Sequence, residues 1–149
     1  MTAHGESCQP CELCRQDGGE ILYRNDSLRV VLVDDANHPG FCRVIWQAHV
    51  AEMTDLPPVE RSVLMRTVCQ VESAVREVMR PDKVNLASLG NMVPHLHWHV
   101  IPRFADDAHF PQPVWTAPVR QTPAAVLDER RALLPALREA VVRHAGCVA

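Results

Sequence analysis

The segment NMVPHLHWHVIPRF constrains the fold of this 149-residue chain more than any other, because three of its histidines occupy alternate positions. In a β-strand, side chains two residues apart point to the same face of the sheet and lie about 7 Å apart. The pattern therefore predicts a strand over HLHWHVIPR, with imidazoles on one face and apolar side chains facing the core. The two predicted rows are His95, His97 and His99, and Leu96, Trp98 and Val100.

Four more segments are typical of strands: EILYR, SLRVVLV, FCRVIW and KVNLASL. A long helix is predicted from Pro58 to the residue before Pro81, because apolar side chains recur there every three or four residues. A C-terminal helix is predicted from Pro123 towards His144, kinked or split by Pro135. Its apolar stripe of Leu133, Leu137 and Val141, at four-residue spacing, is predicted to pack against the sheet or a partner. This order of elements predicts an α+β fold with a mainly antiparallel five-stranded sheet, one long helix and a C-terminal helix.

Charge and hydropathy argue against several classes of protein. The net charge of −3 disfavours general binding to nucleic acids or anionic membranes. No apolar run reaches the roughly 18 residues of a membrane-spanning helix. The N-terminus also lacks the basic and apolar parts of a secretory signal, so we expect a cytoplasmic protein. In that reducing compartment, the cluster of Cys8, Cys11 and Cys14 is more typical of metal binding or chemistry than of disulfides.

The row of histidines has two chemical interpretations. Two imidazoles of the row can share one Zn²⁺ with a third ligand from elsewhere, which leaves a position open for an activated water molecule. Alternatively, neutral His97 attacks phosphorus as a nucleophile, while the flanking histidines hold its tautomer and share protons with the leaving group. The row alone does not decide between them.

Several motifs around the row resemble the histidine triad (HIT) superfamily. The triad segment HLHWHVI is followed by IPR, as in many bacterial members. RVIWQAHV resembles the third strand of the family, NLASLGN resembles its asparagine-containing strand and glycine turn, and CELC resembles the C-x2-C of bacterial members. The resemblance covers about residues 11–104. It implies a single HIT-like domain over residues 1–149, in which residues 105–149 form a C-terminal extension.

The resemblance implies nucleotidyl transfer. His97 matches the histidine that attacks the α-phosphorus of a nucleoside monophosphate derivative, and His95 and His99 match those that bind the phosphate oxygens and orient the nucleophile. Hydrolysis of the nucleotidyl-histidine then releases a nucleoside monophosphate, and no cofactor is required. Dinucleoside polyphosphates, nucleoside phosphoramidates and aminoacyl adenylates all fit this chemistry, and the sequence names neither the base nor the leaving group.

The same resemblance implies four substrate-binding residues. Asn85 matches the strand asparagine near the nucleotide, and Asp34, or Asp35 in its place, matches the acid that hydrogen-bonds the ribose. Backbone N–H groups around Gly90 and Asn91, together with protonated imidazoles, would neutralise charge on the phosphate.

Two departures from the family pattern concern the substrate more than the reaction. Phe41 stands where members usually have a histidine that supports the triad, and Met92 stands in the turn that usually offers Gln or Ser. His38 is close enough in sequence to compensate for Phe41, but we expect an ordinary loop histidine. Trp115, in a proline-rich tract, has three alternatives: it reaches the pocket, it reaches the dimer interface, or it packs on the surface. We expect packing of so large an apolar group.

The resemblance also implies a closed, structural zinc site formed by Cys11, Cys14, His49 and His95. Two alternatives to the HIT-type enzyme remain: a zinc-dependent hydrolase with the metal on the triad, and a non-catalytic nucleotide-binding protein. Members of this size commonly form homodimers through the long helix and the adjacent strand, so a homodimer is expected.

Overall fold

The computed structural model describes residues 11–147, so Cys8 lies outside the described residues. Five strands form one antiparallel sheet in the order β1-β2-β3-β5-β4. They are β1 Glu20–Arg24, β2 Leu28–Leu32, β3 Cys42–Trp46, β4 Lys83–Ala87 and β5 His97–Arg103. The helices are α1 Glu12–Arg15, α2 Pro58–Met79, α3 Ala124–Arg131 and α4 Leu134–Ala145, with a 3-10 turn at Met53–Asp55. The predicted α+β fold is confirmed.

Successive side chains along each strand point to opposite faces of the sheet, so the two faces differ in composition. On one face, apolar side chains pack against α2 and α4 and form the main core. Leu96 and Val100 are buried there, and Trp98 packs against them, as the sequence predicts. The opposite face carries His97 and His99. Neither α2 nor any other helix among residues 11–147 is both long and apolar enough to cross a membrane.

The long helix follows its sequence signals. Pro58 occupies the first turn of α2, where a missing N–H costs nothing. Arg80 adopts a left-handed conformation with φ of 48° immediately after Met79, and Pro81 prevents continuation of the helix. The apolar stripe, including Leu64, Val68, Val71 and Val75, is fully buried against the sheet and α4.

The C-terminal region forms two helices, since Pro135 lies in the first turn of α4 and separates it from α3. Leu137 and Val141 are buried against α2, as predicted. The prediction that Leu133 belongs to the same stripe is wrong, because Leu133 precedes α4 and is exposed.

Residues 105–123, which we call the β5–α3 loop, contain no helix or strand. The loop is anchored to the end of β5 by Arg103, which is almost fully buried and donates to both carboxylate oxygens of Asp107, at 2.8 and 3.2 Å. Burial acts to raise the pKa of Asp107, but Arg103 and three backbone N–H groups outweigh burial and hold that pKa well below its ordinary value. The ion pair therefore fixes the start of the loop against the sheet.

Candidate active site and metal centre

The row of three histidines is not one strand face, because β5 begins at His97 rather than at His95. The backbone N–H of His95 donates to the carbonyl of Val93 in a turn, and that of Leu96 donates to the carbonyl of Val50. These bonds turn the chain before β5. The side chain of His95 consequently lies beside the N-terminal segment, whereas those of His97 and His99 stay on the sheet with their ring centroids 4.9 Å apart.

The tautomer of His97 is set by the main chain. Its Nδ1 lies 2.5 Å from the carbonyl oxygen of His95, and a carbonyl can only accept a hydrogen bond. The proton is therefore on Nδ1, which leaves the lone pair on Nε2. Since His97 lines a cleft, this arrangement presents a neutral imidazole nitrogen as a nucleophile.

His95 has the opposite tautomer. Its Nε2 lies 2.6 Å from the carbonyl oxygen of Trp46, so the proton is on Nε2 and the lone pair is on Nδ1. That Nδ1 lies 3.4 Å from Sγ of Cys11, 3.5 Å from Sγ of Cys14 and 3.3 Å from Nδ1 of His49. The predicted ligands Cys11, Cys14, His49 and His95 are thus brought together, with all four ligand atoms within 4.8 Å of one another.

These separations fit a tetrahedral zinc ion. Zn–S bonds of about 2.3 Å and Zn–N bonds of about 2.0–2.1 Å require N–N and N–S edges of roughly 3.3–3.6 Å. The N–N edge between His49 and His95 is 3.3 Å, and the edge between Sγ of Cys14 and Nδ1 of His49 is 3.4 Å. The hydrogen bond from His95 to Trp46 would act as an outer-shell contact that orients the imidazole.

His99 lies in an aromatic environment. Phe41 stacks on its ring with centroids 5.6 Å apart, and Trp115 meets it edge-on at 5.0 Å. Phe41, which stands where family members usually have a supporting histidine, therefore contacts the ring of His99 but forms no hydrogen bond with it. Consistent with this, Nδ1 of His99 is buried without a hydrogen-bond partner in the described part of the chain.

All three triad imidazoles favour the neutral form. Burial lowers the pKa of His95 and of His97, and Arg43 further lowers that of His97. Burial, together with His97 and Arg43, lowers the pKa of His99 to about 3. In the free protein the three rings therefore favour the neutral form near neutral pH, and protonated imidazoles beside a bound phosphate stay a prediction.

A cleft of about 380 Å³ opens above His97 and His99. Arg43 also lines it, since Arg43 pairs with His99 across the β3–β5 ladder and so points to the same face. The sequence reasoning missed Arg43, although its alternation with the core residues Cys42 and Val44 indicates this face. The rest of the lining comprises Glu12, Leu13, Leu89, Gly90, Asn91, Met92, Val93 and Trp115.

The predicted substrate-binding residues are divided between clefts. Gly90 and Asn91 line the His97 cleft, and Gly90 has φ of 76°, which favours glycine at this turn. Asn85 lies on the far side of Trp115 in a neighbouring cleft, where its amide oxygen accepts from Arg103 at 2.7 Å. Asp34 lines a third cleft with Asp35, and that cleft includes no triad histidine.

His38 differs from the expected loop histidine. It is buried, and its Nε2 lies 2.9 Å from Nδ1 of His109, close to Asp107. This N–N distance fits a hydrogen bond and is shorter than a tetrahedral metal edge. The oxygens of Asp107 already accept from Arg103. The cluster therefore fits a hydrogen-bonded network better than a metal site, and His109 rather than the triad is the partner of His38.

A family described as "HIT domain" matches residues 15–106. Two curated relatives are each 30% identical to this chain. They are an AP-4-A phosphorylase of Mycobacterium tuberculosis, matched over 98 residues, and a bis(5'-nucleosyl)-tetraphosphatase (asymmetrical) of Schizosaccharomyces pombe, matched over 91 residues. The matches cover 62% and 58% of this chain, and the chain spans about half the length of each relative.

Among solved structures, a histidine triad protein from Bradyrhizobium japonicum superimposes with a TM-score of 0.69. It is 29% identical, and the match covers 86% of this chain and 91% of that chain. The superposition therefore extends well beyond the matched residues 15–106.

Proposed function

Because this chain belongs to the HIT domain family, we propose that it is a nucleotide hydrolase or nucleotidyl transferase that acts at the α-phosphate of a nucleoside monophosphate derivative. The observation that carries the proposal is the tautomer of His97, whose Nδ1 proton is held by the carbonyl of His95 so that the Nε2 lone pair is available in the cleft. The relatives named for diadenosine polyphosphate chemistry support the same class of reaction.

In this proposal, Nε2 of His97 attacks the α-phosphorus and forms a P–N bond, while the bond to the leaving group breaks. Water then attacks phosphorus, releases the nucleoside monophosphate and restores the imidazole. The carbonyl of His95 holds the Nδ1 proton throughout and stabilises the positive charge that the ring gains on attack. His99 orients His97 through their edge-to-face contact, and His95 acts as a positioning residue.

Arg43 supplies the positive charge that the neutral imidazoles lack. Its guanidinium lies near His97 and His99 and contributes to lowering their pKa values. A phosphate group at the floor of the cleft would therefore meet one permanent cation and the N–H groups of the turn at Gly90 and Asn91. Asn85 and Asp34 are the remaining predicted contacts. Asn85 lies in the neighbouring cleft that shares Trp115, and Asp34 lies in a cleft that shares no lining residue with that of His97.

Arg43→Gln is expected to raise KM about tenfold with kcat changed by less than about twofold, because a charge-assisted hydrogen bond to the bound phosphate is lost. Steady-state kinetics over a substrate titration measure both constants. The matched control is Glu12→Gln, which removes a negative charge near Arg43 in the same cleft and should lower KM. An Arg43→Gln enzyme with unchanged KM would assign Arg43 to packing on Phe41 instead.

The zinc site belongs to the same proposal as a structural element. Cys11, Cys14, His49 and His95 would hold the ion, which would join the N-terminal segment to the sheet and supply no catalytic step. A reducing, cytoplasmic location would keep both cysteines as thiols. The alternative of a zinc hydrolase with metal on the triad has less support, since within residues 11–147 neither His97 nor His99 belongs to a group of three candidate ligands.

A substrate panel tests the proposed reaction. It compares a dinucleoside polyphosphate, a nucleoside phosphoramidate and an aminoacyl adenylate, and it measures release of nucleoside monophosphate. Turnover of at least one of them supports the enzyme. Binding of nucleotides without turnover of any of the three would favour the non-catalytic alternative.

The expected partner is a second copy of the chain. β4 is the last strand of the sheet, and its outer edge pairs with no other strand among residues 11–147. Leu86 on this strand is an exposed apolar residue. Pairing of β4 strands across a two-fold axis would cover both.

Sedimentation at micromolar concentration is therefore expected to give twice the chain mass of 16.7 kDa. Leu86→Lys should shift the protein towards the monomer, because a charge at the edge opposes strand pairing. Leu133→Lys, at an exposed leucine away from β4, is the control and should leave the mass unchanged. A wild-type protein that sediments as a monomer would refute the homodimer.

A further inference from the structure

Trp115 is the largest exposed apolar side chain near the triad. Half of its surface is open to solvent, whereas Trp46 is almost fully buried in the core. Its ring contacts His99 at 5.0 Å. The residue lies on the β5–α3 loop, outside the family match at residues 15–106. Simple packing of the indole, as the sequence suggested, does not explain why it stays open above a catalytic imidazole.

The loop that carries Trp115 is held at several points. Arg103 at the end of β5 donates to the carbonyl of Gln112 at 2.7 Å. Arg120 donates to the carbonyls of Asp107 and Phe110, and the backbone N–H of Val119 donates to the carbonyl of Ala108. These bonds close the loop on itself and tie it to the strand that carries His97. The indole is thus positioned by the same strand as the nucleophile.

Trp115 also separates two clefts. On one side lies the cleft of His97, His99 and Arg43. On the other lies a cleft of about 450 Å³ lined by Lys83 and Asn85 among others.

The direction of the reaction indicates which group that is. In-line displacement requires the leaving group to lie opposite the attacking Nε2 of His97. His97 is buried at the floor, so the leaving group departs towards the open mouth, where Trp115 and the highly exposed Met92 form the walls. An exposed indole that lines a cleft together with an apolar side chain offers a surface on which a planar ring can stack.

We propose that Trp115 is a specificity-determining residue that stacks on a planar aromatic ring carried by the leaving group. This inference rests on the proposed function, since it assumes that the phosphate binds at His97. It assigns the substrate to the class of nucleotides whose α-phosphate joins an aromatic-bearing leaving group, and it gives the C-terminal extension a role in choosing that group.

Two adenosine phosphoramidates test the inference, one made with tryptamine and one with n-butylamine, because both amines are primary alkylamines of similar basicity. We expect wild-type protein to favour the tryptamine compound in kcat/KM by about tenfold, the size expected of one aromatic stack. Trp115→Leu should lose this preference by slowing on the tryptamine compound alone, and Trp115→Phe should keep most of it. Val119→Ala, on the same loop but lining neither cleft, is the control and should behave as wild type.

If Trp115→Leu lowers kcat/KM equally on both compounds, Trp115 has a structural role and the inference is overturned. The inference is also overturned if Trp115→Leu keeps the wild-type preference for the tryptamine compound. If wild-type protein cleaves neither compound, the substrate panel still decides the proposed function. Calorimetric binding of the two compounds to His97→Ala protein then decides the role of Trp115. Tighter binding of the tryptamine compound that disappears in the His97→Ala, Trp115→Leu double variant supports stacking. Equal or absent binding of the two compounds refutes it.

Discussion

Replacing His97 with alanine is expected to reduce turnover by at least about 10⁴-fold, because no other group that lines the cleft among residues 11–147 presents an imidazole nitrogen with a free lone pair and a fixed tautomer. Nucleotide affinity should change little, since the phosphate contacts come from Arg43 and the turn at Gly90. Single-turnover kinetics and calorimetry on the same preparation separate the two effects. His144→Ala, far from the cleft on α4, is the matched control for loss of a histidine and should retain full activity.

Detection of a covalent adduct on His97 would identify the nucleophile directly. Wild-type protein quenched without acid during turnover should carry a nucleoside monophosphate on the peptide that contains His97, since P–N bonds of this kind are acid-labile. The adduct should be absent from His97→Ala. Activity within tenfold of wild type in the variant, or an adduct on another residue, would contradict the assignment of the nucleophile.

Loss of the zinc ligands is expected to give the largest effect on stability. Protein purified without chelator should contain about one zinc per chain, and Cys11→Ser, Cys14→Ser protein should contain none. If free zinc stands near a thousand times its dissociation constant, the free energy of unfolding should fall by about 4 kcal/mol. For a chain of this size, Tm should then fall by roughly 8–16 °C.

The control is Cys69→Ser, an exposed cysteine on α2 outside the cluster, which should keep both zinc and Tm. Turnover by the double variant should fall much less than turnover by His97→Ala, because the tautomer of His97 depends on a main-chain carbonyl. Arg29 should also keep the N-terminal segment in place, since its guanidinium donates to the carbonyls of Leu13, Gln16 and Asp17. A zinc-free wild-type protein would contradict the metal site, and loss of all turnover with the metal would favour the zinc hydrolase.

Most of the fold follows from local patterns in the sequence. Alternation identifies the strands, and the stripe from Leu64 to Val75 with its flanking prolines identifies α2. The start of β5 could not be predicted in this way, because HLHWHVIPR continues its alternation through His95. The hydrogen bond between Leu96 and Val50 that redirects the chain joins residues far apart in sequence.

The candidate site was predictable only where local sequence patterns or the family resemblance determine it. The candidate zinc ligands were located through the family resemblance, and the structure brings their ligand atoms together. Arg43 could have been identified from the sequence, because it lies between the core residues Cys42 and Val44 on β3 and must point to the opposite face. The contact between Trp115 and His99 could not, because it depends on how Arg103 and Arg120 fold an irregular loop. The placement of Asp34 in a separate cleft likewise depends on the path of the chain after β2.

His95 and His97 hold their ring protons on opposite nitrogens, and this difference determines what a substitution at position 95 would change. The proton of His97 is held by the backbone at position 95, and every amino acid provides that carbonyl. At the proposed zinc site, by contrast, metal affinity would depend on the imidazole at the same position. If both proposals hold, substitution at one codon would abolish zinc binding and leave Nδ1 of His97 protonated, so metal-free descendants with the proposed chemistry would lie a single mutation away.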